Sequence, residues 1–330
     1  MREIKNIKGN AFGHTRHHPV NQLEEKTIDS FCVITTVFNP WRYRTRVDLY
    51  KDFEEYCLES GAQLLTVELA LGERPFVVTQ AGNPNHVQLR TTDELWHKER
   101  MINIGIERLP ENIKYVAWVD ADVRFVRHDW VHETIQLLQH YQVVQMFASI
   151  ANLGHEHNLS GPQQGIIYAF LEGLLGQEDY KYYEKFHPGF AWAARRSTLD
   201  NLGGLLDIAI LGSGDRHMAQ GLIGKVRRSY PAGVTQGYKE QLKLWEERAL
   251  LYVKKNVGYM PGSLIHQWHG NKKFRRYTER WKILIQNKFD PEFDLKRDSM
   301  GLLKFTERNR QLKYDIRNYF RIRNEDSIDP

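Results

Sequence analysis

Cysteine is scarce in this chain of 330 residues, which contains only Cys32 and Cys57. Both lie in segments with the pattern of buried secondary structure, so we expect two reduced core thiols and no disulfide framework. Long apolar runs are also missing, because none reaches the roughly 18–20 residues that cross a bilayer. The first ten residues, MREIKNIKGN, lack the apolar core of a secretory signal. These absences argue against a transmembrane or disulfide-built protein and predict a cytoplasmic one.

Opposite charges are balanced over most of the sequence and unbalanced near its end. Residues 271–330 hold 16 basic and 10 acidic side chains, a net charge of +6. The other 30 basic and 31 acidic residues give residues 1–270 a net charge of −1. A localised basic region can bind phosphates, nucleic acid or an anionic membrane surface. A solvated helix face is the equal alternative.

The first part of the chain alternates strand-like and helix-like segments. Buried strands are indicated by β-branched and aromatic runs, and helices by apolar residues at helical spacing. This rhythm is typical of a parallel sheet with helices on its faces. The predicted elements are a strand at 31–40, a helix at 42–60, a strand at 62–70, a loop from 71 to about 90, a helix from Thr91, with Glu94 in capping-box spacing, to Arg108, and a strand that leads into Asp120.

Asp120 and Asp122 follow that last strand with one residue between them. Ligands of open α/β sheets bind beyond the carboxyl ends of the strands, which is where these acids stand. Paired carboxylates suit Mg²⁺ or Mn²⁺ bound together with substrate phosphates. A capping or solvated turn gives the same pattern, but two acids at the ligand edge repel each other unless a cation neutralises them. The sequence therefore predicts a divalent cation site at this edge.

Two longer segments resemble the GT-A glycosyltransferases, which use nucleotide-diphosphate sugars. KERMINIGIERLPENIKYVAWVDADVRF (98–125) is similar to the donor half, and HPGFAWAARRSTLDNLGGLLDIAILGSGDRHM (187–218) to the acceptor half. The pattern is similar to family-2-type inverting enzymes and to galactosyl- and polypeptide N-acetylgalactosaminyl-transferases, over roughly residues 30–270. One departure is that Gly214-Asp215 stands where the family usually has Glu-Asp, so the first acid is missing.

The resemblance implies an α/β fold of the GT-A type. Such a fold is Rossmann-like, with a mostly parallel central sheet and helices on both faces, and here a basic helical C-terminal region follows it. We expect an N-terminal extension (1–29), a GT-A domain (30–270) whose donor half is about 30–150 and whose acceptor half is about 151–270, and the C-terminal region (271–330).

Roles for the chemically active residues follow from the same resemblance. Asp215 is implied as the base that deprotonates the acceptor hydroxyl, with a helix cap as the other interpretation. Asp120 and Asp122 are implied as metal ligands, completed by a histidine of SLIHQWHG (263–270). Residues three apart on a strand face opposite sides, so we expect only one of His266 and His269 to reach the metal, and we favour His266. Both could instead be ordinary polar residues.

Donor, acceptor and phosphate contacts complete the implied site. Trp192 is implied for stacking on the acceptor, although an aromatic residue in a strand is more often core. The basic residues after the histidines could reach a phosphate or form a solvated helix face. The implied donor-binding residues are Thr36, Asn39, Glu68, Arg100, Asn103 and Asp120, and the implied phosphate-binding residues are Arg275, Arg276, Tyr277 and Arg280.

These residues predict an enzyme that moves a sugar from a nucleotide-diphosphate donor, with UDP favoured, to an acceptor hydroxyl, with inversion and with Mn²⁺ or Mg²⁺ as cofactor. The acceptor hypothesis is a hydroxymethylated base in DNA, as in phage-type DNA glycosylation, because aromatic and basic residues alternate near the end of the chain. The aromatic residues concerned are Phe274, Tyr277, Trp281, Tyr314, Tyr319 and Phe320.

Other functions fit parts of this pattern. A glycan, a lipid-linked sugar or a protein hydroxyl is the alternative acceptor. The alternative of another class is a non-catalytic nucleic-acid-binding module on a transferase-like fold. A nucleotidyltransferase or phosphatase would share the paired acids, but the sequence has neither a G-x-x-x-x-G-K-[ST] loop nor H-E-x-x-H.

Overall fold

The computed structural model describes residues 28–156, 158–176, 185–277 and 279–326. The strands are β1 (Phe31–Phe38), β2 (Gln63–Leu71), β3 (His86–Thr91), β4 (Tyr115–Val119), β5 (Val123–Phe125), β6 (Val143–Gln145), β7 (Ser149–Asn152), β8 (Gln163–Gly165), β9 (Phe186–His187), β10 (Ala191–Arg195), β11 (Val257–Tyr259), β12 (Ser263–His266), β13 (Leu295–Arg297) and β14 (Leu303–Phe305).

Helices connect and cover these strands. They are α1 (Arg44–Glu59), α2 (Lys98–Arg108), α3 (Trp130–His140), α4 (Ile166–Leu171), α5 (Arg196–Leu202), α6 (Gly214–Leu222), α7 (Gln236–Tyr252), α8 (Glu279–Gln286), α9 (Pro291–Asp294) and α10 (Arg310–Ile322), with 3₁₀ turns at Val226–Ser229 and Lys272–Arg275.

The main sheet has seven strands in the order β11-β6-β10-β4-β1-β2-β3. β1 is parallel to β2 and β4, and β2 to β3, whereas β10 runs antiparallel to both of its neighbours. Both faces of β1 are covered, which explains its continuous apolar sequence. The predicted α/β fold with a mostly parallel central sheet is therefore confirmed.

Helix α1 packs as its apolar spacing predicts, whereas α2 is buried on all sides along residues 101–106. Tyr50, Phe53 and Cys57 are the buried residues of α1. In α2, Gly105 lets the helix lie close to β1, because a Cβ there would be 3.1 Å from a methyl group of Ile34. This close contact packs the C-terminal half of α2 against β1 and β2.

The segment between β2 and α2 differs from the sequence prediction. The predicted loop contains β3, which pairs with β2 at the edge of the sheet. Thr91 does not cap a helix, because it ends β3 and its hydroxyl accepts a hydrogen bond from the amide of Asp93 at 3.1 Å. The amide of Trp96 donates to Ile210 at 2.8 Å, so another part of the chain holds this segment and α2 begins only at Lys98.

A second sheet has the strand order β5-β12-β7-β8-β9. β12 is antiparallel to β5, with His266 opposite Val123, and parallel to β7, with His266 opposite Asn152. This pairing carries the last residue of β12 to the segment that follows β4. This topology explains why His266 lies near Asp122.

The C-terminal region has the predicted helices and also a hairpin, β13–β14, which the sequence analysis missed. Its large apolar side chains, among them Trp281, Phe289, Phe305 and Phe320, belong to the same buried cluster as β1 and β2. Part of its positive charge is neutralised within the protein. Lys313 forms an ion pair with Asp93. Arg317 forms a second ion pair, with Glu94, at 3.1 Å.

Two further predictions concern the ends of the chain and the membrane. Of the N-terminal extension, residues 1–27 lie outside the described residues. None of the helices in the described ranges has the length and apolar character to cross a membrane. The domain boundaries stay predictions.

Candidate active site

Asp122, His266 and His269 converge after β4 and β12, and we call them the cation cluster. Oδ2 of Asp122 lies 3.0 Å from Nε2 of His269 and 3.8 Å from Nε2 of His266. The two Nε2 atoms are 3.1 Å apart. One ligand atom from each residue lies within 4.8 Å of the others. The three side chains can therefore share one cation.

Both histidines lie near Asp122, on the same side, although strand alternation predicts that they face opposite sides. Which of them binds the metal stays a prediction. Alternation of side chains holds only inside a strand, and β12 ends at His266. The chain then turns, and the amide of Gln267 donates to the carbonyl of Asp122 at 2.7 Å. This turn brings His269 back to the face that His266 occupies.

Asn152 at the end of β7 orients the His266 ring. Its Oδ1 lies 2.9 Å from Nδ1 of His266, which leaves Nε2 to face Asp122 and His269. Burial lowers the pKa of His266 well below its ordinary value, so the ring is the neutral imidazole that binds metals. The sequence analysis missed Asn152, because only the pairing of β7 with β12 brings the two residues together.

The cation cluster fits a divalent metal in its chemistry. Oδ1 of Asp122 is buried and has no hydrogen-bond partner among the described residues. Burial alone would raise the pKa of Asp122, but its hydrogen bond with His269 and nearby positive charge hold that pKa well below its ordinary value. One carboxylate and two imidazoles are a donor set that Mn²⁺ accepts.

Glu325, far along the chain, also faces the cation cluster. Its Oε2 lies 3.7 Å from Nδ1 of His269. The same carboxylate pairs with Arg46 of α1, and its other oxygen lies 2.8 Å from Arg323. Burial alone would raise the pKa of Glu325, but the two arginines keep it well below its ordinary value. No local pattern in the sequence marks this contact.

Asp120 lies outside the cation cluster and is half-buried. Its carboxylate forms an ion pair with Lys98, the first residue of α2. Burial raises the pKa of Asp120, and the attraction of Lys98 offsets part of this rise. Burial alone would lower the pKa of Lys98, but attraction to Asp120 outweighs it and raises that pKa. The structure therefore pairs Asp120 with a lysine that the sequence analysis did not select.

Asp215 lines a small cavity next to this ion pair, which we call the acceptor cavity. It stands in the first turn of α6, and its Oδ1 accepts a hydrogen bond from the amide of Arg216 at 2.7 Å. Gly189 makes room for it, because a Cβ at that glycine would lie 2.3 Å from Oδ2 of Asp215. The residues that line the cavity are Lys98, Glu99, Ile102, Trp118, Gly189, Phe190, Trp192, Leu205, Asp215 and Met218.

Glu99 places a second carboxyl group in the acceptor cavity, and sequence reasoning missed it. The residue is 4% exposed and lies next to Lys98 in the first turn of α2. Burial raises its pKa to about 8, although Lys98 acts in the opposite direction. Its Oε1 occupies the space beside Gly214, where a Cβ would lie only 2.4 Å away. A carboxyl group is therefore present beside the position at which the sequence lacks the first acid.

Trp192 forms a wall of the acceptor cavity rather than an exposed stacking surface. It is 4% exposed, and its indole Nε1 donates to the carbonyl of Pro188 at 2.9 Å. Burial of the indole agrees with the core interpretation of this residue. An acceptor role for Trp192 stays a prediction.

Several implied donor-binding residues have their polar groups occupied elsewhere. Glu68 accepts hydrogen bonds from the amides of residues 77–79 and from the Thr79 hydroxyl, so it fixes that loop. Arg100 donates to Gly301 at 2.7 Å, and Asn103 bridges the backbone of Leu205 at 2.7 and 2.9 Å.

The other two implied donor-binding residues belong to β1 and the turn after it. Asn39 closes that turn through hydrogen bonds with the backbone of Tyr43. Thr36 is half-buried near the end of β1. Donor binding by these two residues, and by the three described above, stays a prediction.

The four implied phosphate-binding residues lie in three different environments. Nη2 of Arg275 lies 2.9 Å from Nε2 of His269, at the cation cluster. Arg280 donates to the carbonyl of Leu211 at 3.1 Å and to the Ser213 hydroxyl, so it holds the loop before α6. Arg276 and Tyr277 are exposed.

Comparison with known proteins gives structural likenesses without sequence matches. No protein-family model matches the chain, and no curated protein matches it. One similar structure is the catalytic domain of Drosophila β1,4-galactosyltransferase 7 in complex with xylobiose, with 9% identity and a TM-score of 0.36, covering 84% of this chain and 94% of that one.

Two further structures show the same level of likeness. Glucosyl-3-phosphoglycerate synthase from Mycobacterium tuberculosis, in complex with Mn²⁺, UDP-glucose and phosphoglyceric acid, has 10% identity and a TM-score of 0.39, covering 89% of this chain and 92% of that one. A 4-diphosphocytidyl-2C-methyl-D-erythritol synthase from Anaerococcus prevotii has 12% identity and a TM-score of 0.35, covering 70% and 88%. At these TM-scores the likenesses carry no argument about function.

Proposed function

We propose that this chain is a metal-dependent glycosyltransferase of the GT-A type, which moves a sugar from a nucleotide-diphosphate donor to an acceptor hydroxyl. The supporting observation is that the cation cluster and the acceptor cavity adjoin each other. Phe190 joins them, because it lines the cavity that contains Asp215 and its ring centroid lies 4.7 Å from that of His266. A glycosyl transfer needs both functions side by side, positive charge for the departing diphosphate and a base for the incoming hydroxyl.

Asp122, His266 and His269 would hold the divalent cation, with UDP as the favoured nucleotide of the donor. When bound, Mn²⁺ or Mg²⁺ supplies positive charge that stabilises the leaving diphosphate. Arg275 adds fixed positive charge at the cluster, and Lys98 adds it beside Asp120. These two side chains would orient the diphosphate by charge-assisted hydrogen bonds.

The acceptor cavity supplies the proton transfer. Asp215 takes the proton of the acceptor hydroxyl as that oxygen bonds to the anomeric carbon, and the bond from this carbon to the diphosphate oxygen breaks. Attack from the side opposite the leaving group inverts the anomeric centre. Glu99, protonated at neutral pH by its raised pKa, would donate a hydrogen bond to the acceptor beside the reacting hydroxyl.

Donor hydrolysis is the direct test of this function. The chain is incubated with UDP-glucose, UDP-galactose and related donors, with Mn²⁺ or with EDTA, and release of nucleoside diphosphate is measured. We expect release that depends on the metal and is lost in Asp122→Asn. Absence of metal-stimulated turnover of every donor, in protein with a cooperative unfolding transition, would overturn the proposal.

For the acceptor, a hydroxymethylated base in DNA is the hypothesis to test first. Three of the aromatic residues that motivated it, Trp281, Tyr319 and Phe320, are buried in the core, so they provide no stacking surface. Tyr277 and Tyr314 are 49% and 60% exposed and support it. The base would have to leave the stack to be reached.

The acceptor experiment compares several substrates with one donor. Hydroxymethylated DNA, unmodified DNA, oligosaccharides, lipid-linked sugars and peptides are incubated with the donor that is hydrolysed fastest. Transfer to the modified DNA alone supports the hypothesis, and transfer to another acceptor replaces it. Salt-sensitive DNA binding without turnover of any donor, and unchanged by Asp122→Asn, identifies the non-catalytic module instead.

A further inference from the structure

Glu325 is a buried carboxylate whose position is fixed from several directions. It is 5% exposed, and three cationic or protonatable groups surround it, namely Arg46, Arg323 and His269. The two arginines come from different parts of the fold, since Arg46 lies in α1 and Arg323 directly follows α10. A buried carboxylate held by two guanidinium groups has little freedom to move.

The two ring nitrogens of His269 face different partners. Nε2 points towards Asp122, and Nη2 of Arg275 also lies 2.9 Å from it. Nδ1 faces Oε2 of Glu325 at 3.7 Å. An imidazole that binds a cation through Nε2 must carry its proton on Nδ1, and a carboxylate next to Nδ1 favours this tautomer.

The backbone keeps the segment that carries Glu325 against the histidine turn. Gly270, at φ +83°, permits this, because a Cβ there would lie 2.6 Å from the carbonyl oxygen of Asn324. Asp326 fastens the same segment to the start of α1, where it accepts hydrogen bonds from the amides of Arg44 at 2.9 Å and Thr45 at 3.0 Å. The segment 323–326 is therefore held at both sides of Glu325.

We propose that Glu325 is a positioning residue of the cation cluster, which holds the His269 ring so that its Nε2 faces Asp122 and remains available to a divalent cation. This inference rests on the proposed function only in taking the cluster as a cation site. Partners of this kind, behind a ligating histidine, usually change metal affinity about 10–100-fold when they are removed.

Calorimetric titration with Mn²⁺ alone tests the proposal without any turnover. Glu325→Gln keeps the shape of the side chain and removes its charge, and we expect the Kd for Mn²⁺ to rise about 10–100-fold. The matched control is Asp326→Asn in the same segment. This substitution weakens the contact with α1 and leaves Glu325 beside His269. We expect the control to bind Mn²⁺ as the unsubstituted chain does.

The possible outcomes separate this inference from the proposed function. Equal Mn²⁺ affinity in Glu325→Gln and the unsubstituted chain overturns the positioning role, while metal-dependent donor hydrolysis would stand. An equal loss of affinity in both variants also overturns it, since the segment would then act only as a structural fastening. If the unsubstituted chain neither binds Mn²⁺ nor hydrolyses a donor, both proposals fail together.

Discussion

Charge is arranged differently in the cation cluster and in the acceptor cavity. Around the cluster, Glu325 is paired with Arg46 and His266 with Asn152, and Oδ1 of Asp122 is left without a hydrogen-bond partner among the described residues. In the acceptor cavity, burial raises the pKa of Glu99 to about 8, although the neighbouring Lys98 acts in the opposite direction. Burial disfavours the charged form of a carboxyl group unless positive charge compensates it, so Glu325 stays ionised between two arginines while Glu99 keeps its proton at neutral pH.

The contrast indicates which side of the site is already oriented by contacts within the protein. The cation cluster is oriented by neighbouring side chains before any ligand arrives. The acceptor cavity holds a protonated carboxyl group, which we expect to donate a hydrogen bond to the acceptor. Substitutions on the two sides should therefore separate metal affinity from sugar transfer.

The largest effect is expected from Asp215→Asn. Loss of a general base typically lowers kcat about 10²–10⁴-fold, and Asn cannot take the proton. Because Asp215 lies in the acceptor cavity, the Kd for Mn²⁺ should stay unchanged. Transfer kinetics and calorimetry on the same preparation measure both quantities. A parallel loss of Mn²⁺ affinity would contradict the separation of the two sides.

Asp122→Asn should act on the other side. A neutral amide replaces the one carboxylate of the cation cluster, so we expect the Kd for Mn²⁺ to rise at least about 100-fold. Asp129→Asn is the control, because Asp129 is an exposed acid that pairs with Arg127. Unchanged Mn²⁺ affinity in Asp122→Asn would show that the cation binds elsewhere.

A stability measurement tests the buried carboxyl of Glu99. Its pKa rises from 4.5 to about 8, so between these pH values the folded state keeps a proton that the unfolded state releases. The free energy of unfolding should therefore fall as pH rises through this window, by roughly 3–4 kcal/mol between pH 5 and pH 8. Glu99→Gln should remove this dependence. Urea unfolding of the unsubstituted chain and of Glu99→Gln is measured at about pH 5 and about pH 8. If stability changes equally with pH in both proteins, the raised pKa of Glu99 is refuted.

The smallest effect is expected from Lys98→Met, which keeps the length of the side chain. Asp120 would lose its ion pair and the diphosphate one fixed positive charge, so turnover should fall about tenfold. Because Lys98 touches Asp120 and not the cation cluster, Mn²⁺ affinity should not fall. Calorimetry and donor hydrolysis of this variant decide between a role in turnover and a role in metal binding.

The fold could be predicted where periodicity is strong and local. The apolar spacing predicts a helix at 42–60 with one buried face, and Tyr50, Phe53 and Cys57 are the buried residues of α1. β3 was missed because it is a short edge strand that follows a loop rich in Gly, Pro and Asn. The start of α2 was misplaced because the hydroxyl of Thr91 serves a turn and the backbone of Trp96 is bound by Ile210, a contact that local sequence does not encode.

The candidate site shows the same division. The acids after β4 and the histidines at and after the end of β12 could be predicted, because ligands of such sheets bind beyond the ends of the strands. Lys98 and Glu99 were visible only as two charged residues next to Arg100, and nothing local indicated that they face the sheet edge. Their role depends on how α2 packs on the sheet, which is a tertiary contact.

Glu325 and Arg46 are 279 positions apart in the chain. During synthesis, almost the whole domain must therefore leave the ribosome before this ion pair can form. A nascent chain that stops short of Glu325 can build the main sheet, yet it lacks the carboxylate behind His269. Maturation of the metal site would then be a late event, which follows the formation of the core.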